Sequence, residues 1–267
     1  MCLECGCSVK GEVTINGQKM EHHHHDHTHH DDHDHGDQGH HADHDGGREI
    51  SIQRDILSKN NQLAEHNREH LQSKGIFSMN WISAPGSGKT ALLEKLIQEY
   101  GESLQISVIE GDQQTDNDAR RIINAGASAV QINTGAACHL DASMIHHALH
   151  QIDLEGTRLL VIENVGNMVC PTAYDLGEDL KVAIISAPEG EDKPVKYPDL
   201  LLTADVLLIN KIDLIPYLDF NLENCIALSQ KVNPQINIFP VSAKTGEGLQ
   251  AFYDWFTSKG QISKGPA

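Results

Sequence analysis

The chain has 267 residues, of which 39% are hydrophobic, so it is long enough for one large domain or two small ones with a buried core. Its 38 Asp and Glu outnumber its 20 Lys and Arg and give a formal net charge of −18, which argues against nucleic acids or an anionic membrane surface as partners. It has no apolar run of about 18 residues and no apolar secretory signal at its start, so we expect a cytoplasmic protein.

A compact cysteine motif, CLECGC, stands at the start of the chain. In a reducing compartment, grouped cysteines such as Cys2, Cys5 and Cys7 suggest metal or redox chemistry more than disulfides. Three thiolates, together with the Cys2 amine once Met1 is removed, could form a four-coordinate, near-planar site, which suits Ni²⁺. The alternative is a set of reactive thiols on a frayed terminus.

A histidine-rich tract follows, HHHHDHTHHDDHDHGDQGHHADHDGG, in which 12 residues are histidine and 7 are aspartate. Imidazoles on a flexible chain offer many exchangeable Ni²⁺ arrangements, so the tract predicts nickel storage, with an affinity that falls as histidine protonates. Its irregular spacing argues against a purification tag. The predicted storage ligands are His22, His23, His24, His25, His27, His29, His30, His33, His35, His40, His41 and His44.

Three segments are predicted along the chain. Residues 1–47 hold 2 Lys and Arg, 10 Asp and Glu and almost no apolar side chains, so we expect a disordered metal-binding tail. Residues 48–75 are predicted to form a helix, because Ile52, Ile56, Leu63 and Leu71 share one face. Residues 76–260 form the globular domain.

The globular domain alternates short apolar runs with helical stretches. Strands are predicted at residues 77–83, 106–110, 129–133, 158–163, 181–187, 205–210 and 236–242. Helices are predicted to follow Gly88, Asp116, His139, Asp199, Asn221 and Gly246. Continuous apolar strands separated by helices predict an α/β fold with a doubly wound, mostly parallel sheet. Ligands in such folds bind beyond the carboxyl ends of the strands.

The segment SAPGSGKT, residues 83–90, lies between a predicted strand and a predicted helix and is a P-loop. The backbone N–H groups of such a loop cradle phosphates, Lys89 reaches the β and γ phosphates, and Thr90 binds Mg²⁺. Ser83 replaces the usual first glycine, and a glycine-rich turn with a chance GKT is the alternative. The predicted nucleotide contacts are Pro85, Gly86, Ser87, Gly88, Lys89 and Thr90.

Two later motifs point to guanine as the base. NKID, residues 210–213, ends an apolar strand and resembles the guanine-reading motif of GTPases. Asp213 would accept hydrogen bonds from guanine, and adenine lacks that donor pair, so an ATPase is a remote second reading. SAK, residues 242–244, resembles the loop that closes over the base. The predicted base-site residues are Asn210, Lys211, Asp213, Ser242, Ala243 and Lys244.

Two acidic positions fall where GTPases sense the γ-phosphate. Asp112 follows a predicted strand and could hold Mg²⁺ or orient the attacking water. Glu163 and Gly166, in ENVG, occupy the place of the DxxG element, with Glu in place of Asp. Lys89, Thr90 and Asp112 are the predicted catalytic residues. No positioned Gln or arginine finger is evident in the sequence, so we expect slow turnover and a switching role.

Cys138, His139 and Cys170 are predicted to form a second metal site. Thiolate and imidazole ligands suit Ni²⁺ and Zn²⁺. Cys170 comes shortly after ENVG, so its movement would couple the metal geometry to the nucleotide state. Taken singly, each residue has the ordinary alternative of a buried thiol or a hydrogen-bonded imidazole. Cys225 lies in a predicted helix and is expected in the core.

Together these motifs resemble the HypB family, SIMIBI-class GTPases that deliver nickel during the maturation of NiFe-hydrogenases. The resemblance covers CLECGC and most of residues 50–257, and its most specific stretches are SAPGSGKT, IEGDQQTDNDA, NTGAACHLDASMI, IENVGNMVCP, EGEDKPVKYP, NKIDLIPYLDF and SAKTGEG. It implies GTP with Mg²⁺, a tight nickel site at the amino-terminal cysteines, and a Ni²⁺ or Zn²⁺ site at Cys138, His139 and Cys170.

The resemblance also implies partners. HypB-like domains pair as homodimers promoted by GTP and metal, and Lys193 or Lys196 would reach the partner's nucleotide. Ile215 and Leu218 are candidate dimer contacts, with ordinary packing as the alternative. The expected protein partners are HypA, a nickel-binding maturation protein, and the hydrogenase large subunit.

Three other functions are weighed against this reading. A urease-maturation GTPase of the UreG kind would carry Cys-Pro-His in the switch region, whereas Cys170 and Pro171 are followed by Thr172. A protein that serves chiefly as a nickel buffer would make the nucleotide site secondary. A GTPase that acts on ribosomes or RNA is disfavoured by the acidic body.

Overall fold

The computed structural model describes residues 13–20, 45–113, 117–260 and 262, with the backbone alone for residues 45–53. Two sets of predicted metal ligands fall outside the described residues. These are the amino-terminal cysteines Cys2, Cys5 and Cys7, and the twelve histidines of the tract.

A nine-stranded sheet forms the centre of the described chain. The strands are β1 (Thr14–Ile15), β2 (Gln18–Lys19), β3 (Phe77–Ser83), β4 (Ile106–Asp112), β5 (Ser128–Asn133), β6 (Leu159–Glu163), β7 (Leu180–Ser186), β8 (Val206–Asn210) and β9 (Asn237–Pro240). Their order is β2-β1-β5-β4-β6-β3-β7-β8-β9. All neighbours from β5 across to β9 are parallel, which confirms the predicted sheet.

Helices cover both faces of this sheet. They are α1 (Asp45–Ser73), α2 (Lys89–Leu104), α3 (Asn117–Asn124), α4 (Ala142–Leu149), α5 (Lys193–Lys196), α6 (Pro198–Thr203), α7 (Leu222–Val232) and α8 (Leu249–Lys259). Helices α2, α3 and α8 pack on one face, and α1, α4, α6 and α7 pack on the other. In the described ranges, no helix is both long and apolar enough to span a bilayer.

Several predicted boundaries are wrong. Helices α4 and α8 begin at Ala142 and Leu249, two residues later than the predicted starts after His139 and Gly246. β4, β7 and β9 end one or two residues away from their predicted ends.

Helix α6 begins at Pro198, before Asp199, because proline has the φ angle of a first helical turn and lacks only an N–H that would be unpaired there. Helix α1 begins at Asp45, inside the segment that was predicted to be a disordered tail.

The same tail prediction is wrong for residues 13–20, which form a β-hairpin on the sheet. β1 pairs antiparallel with β5, and Ile15 lies opposite Ile132. Asn16 and Gly17 make the turn with φ of 47° and 79°, and Asn-Gly is the pair that two-residue hairpin turns favour. Ile15 is fully buried. Burial of such a side chain contributes about 1.5–3 kcal/mol, which holds the hairpin against the domain.

The carboxyl ends of β3, β4 and β6 meet at one edge of the sheet. β6 lies between the other two strands, with Trp81 and Glu110 each paired with Glu163. These strands are almost entirely buried and each ends in a polar residue, so the polar ends gather where the connecting loops leave the sheet.

Candidate functional site

The P-loop turns between β3 and α2 and holds its lysine in place. Gly86 and Gly88 have φ of 76° and 97°, a left-handed backbone that favours glycine. Lys89, the first residue of α2, is almost buried, and its Nζ donates a hydrogen bond to Ser83 Oγ over 2.9 Å. Burial lowers the pKa of Lys89, although nearby carboxylates such as Glu163 oppose this. A bound phosphate would restore the preference for the charged ammonium.

The predicted guanine motif braces the P-loop directly. Asn210 Nδ2 donates to the backbone carbonyl of Ser87 over 2.8 Å, and its Oδ1 accepts from the backbone N–H of Ala243 over 3.1 Å. Lys211 Nζ donates to the carbonyl of Gly86 over 2.6 Å. One amide therefore ties the phosphate loop to the SAK loop, and the two predicted halves of the nucleotide site lie together.

Asp213 lies against the SAK loop. Ser242 Oγ donates a hydrogen bond to Asp213 Oδ1 over 2.6 Å, which fixes the carboxylate at the start of a short 3-10 helix, Ile212–Tyr217. Lys244 is exposed in the turn that follows. This arrangement fits a carboxylate positioned to read the base.

Thr90 and Glu163 contact each other beneath the phosphate loop. Thr90 Oγ1 donates to Glu163 Oε1 over 2.8 Å. Glu163 is 3% exposed, and its Oε2 has no hydrogen-bond partner among the described residues. Burial raises the pKa of Glu163 to about 7, against the opposing effect of Lys89. A buried, half-satisfied carboxyl beside a P-loop threonine is suited to a cation.

Asp112 and Glu110 both lie on β4, at the same edge. Asp112 Oδ1 accepts from the backbone N–H of Gln113 over 2.6 Å. Glu110 is 2% exposed, and its Oε2 lacks a partner in the described ranges. Burial raises the pKa of Glu110 to about 9, and the charge of Glu163 adds to the effect. The sequence reading missed Glu110, although a glutamate inside a buried apolar strand is a signal in itself.

Glu189 is a second residue that the motifs did not identify. Its Oε2 accepts from Ser87 Oγ in the P-loop over 2.8 Å and from Ser186 Oγ over 2.7 Å. Its Oε1 lies 3.4 Å from Lys193 Nζ. Lys193 is therefore held near its own P-loop, whereas the exposed Lys196 pairs with Asp192 over 2.6 Å.

Cys138, His139 and Cys170 form a compact group, called the Cys-His-Cys cluster below. Their ligand atoms all lie within 4.8 Å of one another. The His139 ring is buried and stacks on Tyr174, with 4.0 Å between ring centroids. Burial lowers the pKa of His139, with Asp141 opposing it, so the imidazole is neutral at pH 7 and available as a metal ligand. The donor set suits Ni²⁺ or Zn²⁺.

The loop after β6 links the nucleotide and metal sites. Asn164 Oδ1 accepts from the backbone N–H of Leu140 over 3.3 Å, and Asn167 Nδ2 donates to the carbonyl of Cys138 over 3.3 Å. A Cβ added at Gly166 would lie only 3.3 Å from Pro85 Cα, so this loop passes close to the P-loop. The segment from Glu163 to Cys170 therefore connects the nucleotide site to the metal site along the chain.

The remaining predicted positions lie elsewhere. Ile215 is partly buried against the core and Leu218 is 38% exposed, with Tyr217 between them at 84% exposed. Cys225 is fully buried, as its helix pattern predicted, and burial raises the pKa of its thiol to about 11.

The chain is similar to known proteins. A family model described as the CobW/HypB/UreG nucleotide-binding domain matches residues 80–240. The hydrogenase maturation factor HypB of Rhizobium leguminosarum bv. viciae is 55% identical over 208 residues, which are 78% of this chain and 70% of that protein.

Two solved structures are also similar. The crystal structure of the hydrogenase maturation factor HypB from Archaeoglobus fulgidus is 38% identical, with a TM-score of 0.72, and covers 76% of this chain and 100% of that one. HypB from Helicobacter pylori in complex with nickel is 37% identical, with a TM-score of 0.72, and covers 78% of this chain and 98% of that one.

Proposed function

The chain belongs to the CobW/HypB/UreG family and, within it, to the HypB hydrogenase maturation factors, and from this membership we propose a GTP-hydrolysing nickel metallochaperone. It would deliver Ni²⁺ to the large subunit of NiFe-hydrogenase. The observation that carries the proposal is the loop from Glu163 to Cys170, which contacts the P-loop at one end and supplies a thiol to the Cys-His-Cys cluster at the other.

GTP binding follows from the braced P-loop. The N–H groups of the turn would hold the phosphates, with Lys89 at the β and γ phosphates. Asp213, held by Ser242, would accept hydrogen bonds from the guanine N1–H and 2-amino groups. Asn210 connects the two halves, so occupancy of the base site bears on the phosphate loop.

GTP hydrolysis would use residues at the ends of β3, β4 and β6. Thr90, Asp112 and Glu163 would be the oxygen ligands for Mg²⁺, and the Oε2 of Glu163, which has no hydrogen-bond partner among the described residues, supports this role. When bound, Mg²⁺ neutralises charge on the phosphates. Asp112 would orient the attacking water, and Lys89 would stabilise negative charge on the γ-phosphate. These residues supply no arginine finger, so intrinsic turnover is expected to be slow.

Nickel is the cargo, and the Cys-His-Cys cluster is its proposed exit site. The solved relative from Helicobacter pylori is a complex with nickel. In this chain, loss of the γ-phosphate would release the loop after Glu163, and the movement would pass to Cys170 directly and to Cys138 through Asn167. The ligand geometry, and hence the nickel affinity, would differ between the GTP and GDP states.

The amino-terminal ligands have complementary proposed roles. Three thiolates at Cys2, Cys5 and Cys7 would bind one Ni²⁺ tightly, and the histidine tract would hold several ions more weakly. HypA and the hydrogenase large subunit are the proposed protein partners. A homodimer would bring Lys193 or Lys196 toward the partner's nucleotide, and the exposed Leu218 suits a contact surface.

The test is a nickel hand-off experiment with the full chain. Protein loaded with one equivalent of Ni²⁺ is mixed with GTP, GDP or a non-hydrolysable GTP analogue, and nickel transfer to apo large subunit is followed. Transfer should be fastest while GTP is being hydrolysed. The paired Cys138→Ser and Cys170→Ser substitutions should remove the nucleotide dependence, whereas Cys225→Ala, which changes a core thiol, should keep it. Equal transfer in all three nucleotide conditions would overturn the proposal.

A further inference from the structure

Four histidines come together where α1 packs against α4. His66 and His70 lie four residues apart on α1, and His146 and His150 have the same spacing at the end of α4. Residues at this spacing share one face of a helix. The ring centroids of His66 and His146 are 5.4 Å apart, and those of His146 and His150 are 4.7 Å apart. The ring centroids of His70 and His150 are 6.3 Å apart. These four residues form the group that is called the histidine cluster.

The backbone beneath the histidine cluster is fixed by buried amides of α1. Asn67, fully buried, donates from Nδ2 to the backbone carbonyl of Ala142 over 2.9 Å. Asn60 Oδ1 accepts from the N–H of the same residue, also over 2.9 Å. Because both hydrogen bonds are made to the backbone of the first residue of α4, they fix the position of α4 along α1. The pairing of the histidines is therefore built into the helix packing.

The spacing of the rings matches shared coordination of one ion. Two imidazoles bound through metal–nitrogen bonds of about 2.1 Å place their ring centroids roughly 4.5–6.5 Å apart, depending on the angle at the metal. All three centroid distances fall in this range. His66 and His150 are exposed and the other two are half-buried, so side-chain rotation can turn the ring nitrogens inward. An i, i+4 pair of histidines on a helix is a known metal-chelating arrangement.

Burial within the cluster favours the neutral form of its imidazoles. Burial lowers the pKa of His146, and the charges of His150 and His66 lower it further. Burial also lowers the pKa of His70, followed by the effects of Lys74 and His150. The neutral imidazole is the form that binds metal. The cluster also lies at the carboxyl-terminal ends of both helices, where the unpaired carbonyl groups favour a cation.

We propose that the histidine cluster binds one divalent transition-metal ion, Ni²⁺ or Zn²⁺, and that the ion clamps α1 to α4. Nitrogen ligands of this kind suit both ions. The site is distinct from the Cys-His-Cys cluster, which is the group among the described residues whose ligand atoms already lie within 4.8 Å. The two sites are connected through the chain, since α4 begins three residues after His139. The proposal requires neither nucleotide binding nor nickel delivery.

The proposal is tested by amide hydrogen exchange in the full chain, measured for individual peptides by mass spectrometry. The parent protein carries Cys138→Ser and Cys170→Ser, so that the Cys-His-Cys cluster cannot bind metal. Ni²⁺ alone or Zn²⁺ alone is added in excess of all histidines, and exchange is followed in peptides from α1 and α4. Because a ligand that binds only the clamped form suppresses opening, exchange should slow by about tenfold or more in both helices. The ion that gives the larger effect identifies the preferred metal.

Two variants locate the effect. His66→Gln with His150→Gln removes one exposed ligand from each helix, and the metal-dependent slowing should disappear. His147→Gln is the matched control, because this residue is on α4 but its Nδ1 lies 2.7 Å from the Ser143 carbonyl, and the slowing should remain. Exchange that is unchanged by either metal in the parent, or slowing that persists in the double variant, would overturn the proposal.

Discussion

Asn167 donates a hydrogen bond from its side chain to the backbone carbonyl of Cys138 over 3.3 Å. The bond joins the loop that follows Glu163 to the loop that carries two of the three proposed metal ligands. It is a direct physical contact between an element that would respond to the γ-phosphate and an element that would hold nickel.

Asn167→Asp should weaken the coupling between nucleotide and metal. The variant keeps the oxygen that accepts from the Val169 N–H over 2.8 Å and removes the donor to Cys138. Couplings between two sites are commonly about 5- to 150-fold in affinity. The ratio of nickel affinities between the GTP-analogue and GDP states should fall toward one, as measured by competition with a chelator.

Asn237→Asp is the matched control for that experiment. It removes another bond from a side-chain amide to a backbone carbonyl, that of Asp205 over 3.2 Å, at the far edge of the sheet on β9. The affinity ratio should be unchanged in this variant. If the ratio of nickel affinities also stays at the parent value in Asn167→Asp, the hydrogen bond from Asn167 to Cys138 does not couple the nucleotide site to the metal site.

Glu163→Gln should impair Mg²⁺-dependent turnover while the protein stays folded. The amide can still accept the hydrogen bond from Thr90, which is 2.8 Å in the parent, but it lacks a negative charge. Groups that support a metal site commonly contribute about 10- to 100-fold to affinity or activity. GTP turnover measured against Mg²⁺ concentration should show a higher Mg²⁺ requirement. An unchanged Mg²⁺ dependence would assign Glu163 a purely structural role.

Glu110 should make the nucleotide-free protein less stable as the pH rises. Its folded pKa is raised from 4.5 to about 9, so its contribution to stability is fully present below pH 4.5 and is lost as the pH rises through about 9. Glu110→Gln removes this titration. The variant should therefore gain stability relative to the parent between pH 5 and pH 9, as the midpoint of urea unfolding without nucleotide or Mg²⁺ will show.

Glu155→Gln serves as the control for the pH experiment, because it changes an exposed carboxylate in the loop before β6. Its unfolding midpoint should follow that of the parent at every pH. If the curve for Glu110→Gln also runs parallel to the parent curve, the buried carboxyl does not titrate in this range.

Asp213→Asn should move the base preference from guanine to xanthine. The carboxylate would accept hydrogen bonds from two guanine donors, whereas an amide can donate to the 2-carbonyl of xanthine. A site built around a buried polar group rejects a mismatched ligand strongly, by about 10⁴-fold in favourable cases. Competition between labelled GTP and XTP for the full chain measures the change. Retention of guanine specificity in Asp213→Asn would place base recognition on other residues.

The sheet and the nucleotide motifs could be predicted because their signals are local. β3 runs from Phe77 to Ser83, as predicted, because its apolar residues, which include Met79, Trp81 and Ile82, are concentrated in a short segment that ends directly before the P-loop. The P-loop needs its glycines at fixed positions, because Gly86 and Gly88 have left-handed backbone angles. The β1–β2 hairpin was missed although its Asn16-Gly17 turn is also a local signal, because its two-residue strands are too short to show a period.

Contacts between distant residues were decided by the tertiary structure. Asn67 and Ala142 are 75 positions apart, and their hydrogen bond sets the helix register that brings His66 to His146. The buried state of Glu110 likewise depends on neighbouring strands and on α2, which no local pattern specifies. The sequence by itself determined which chemical groups this protein has and placed the seven strands β3 to β9 to within two residues. Only packing decided which of those groups meet, because burial and hydrogen bonding across the sheet act between residues far apart in the chain.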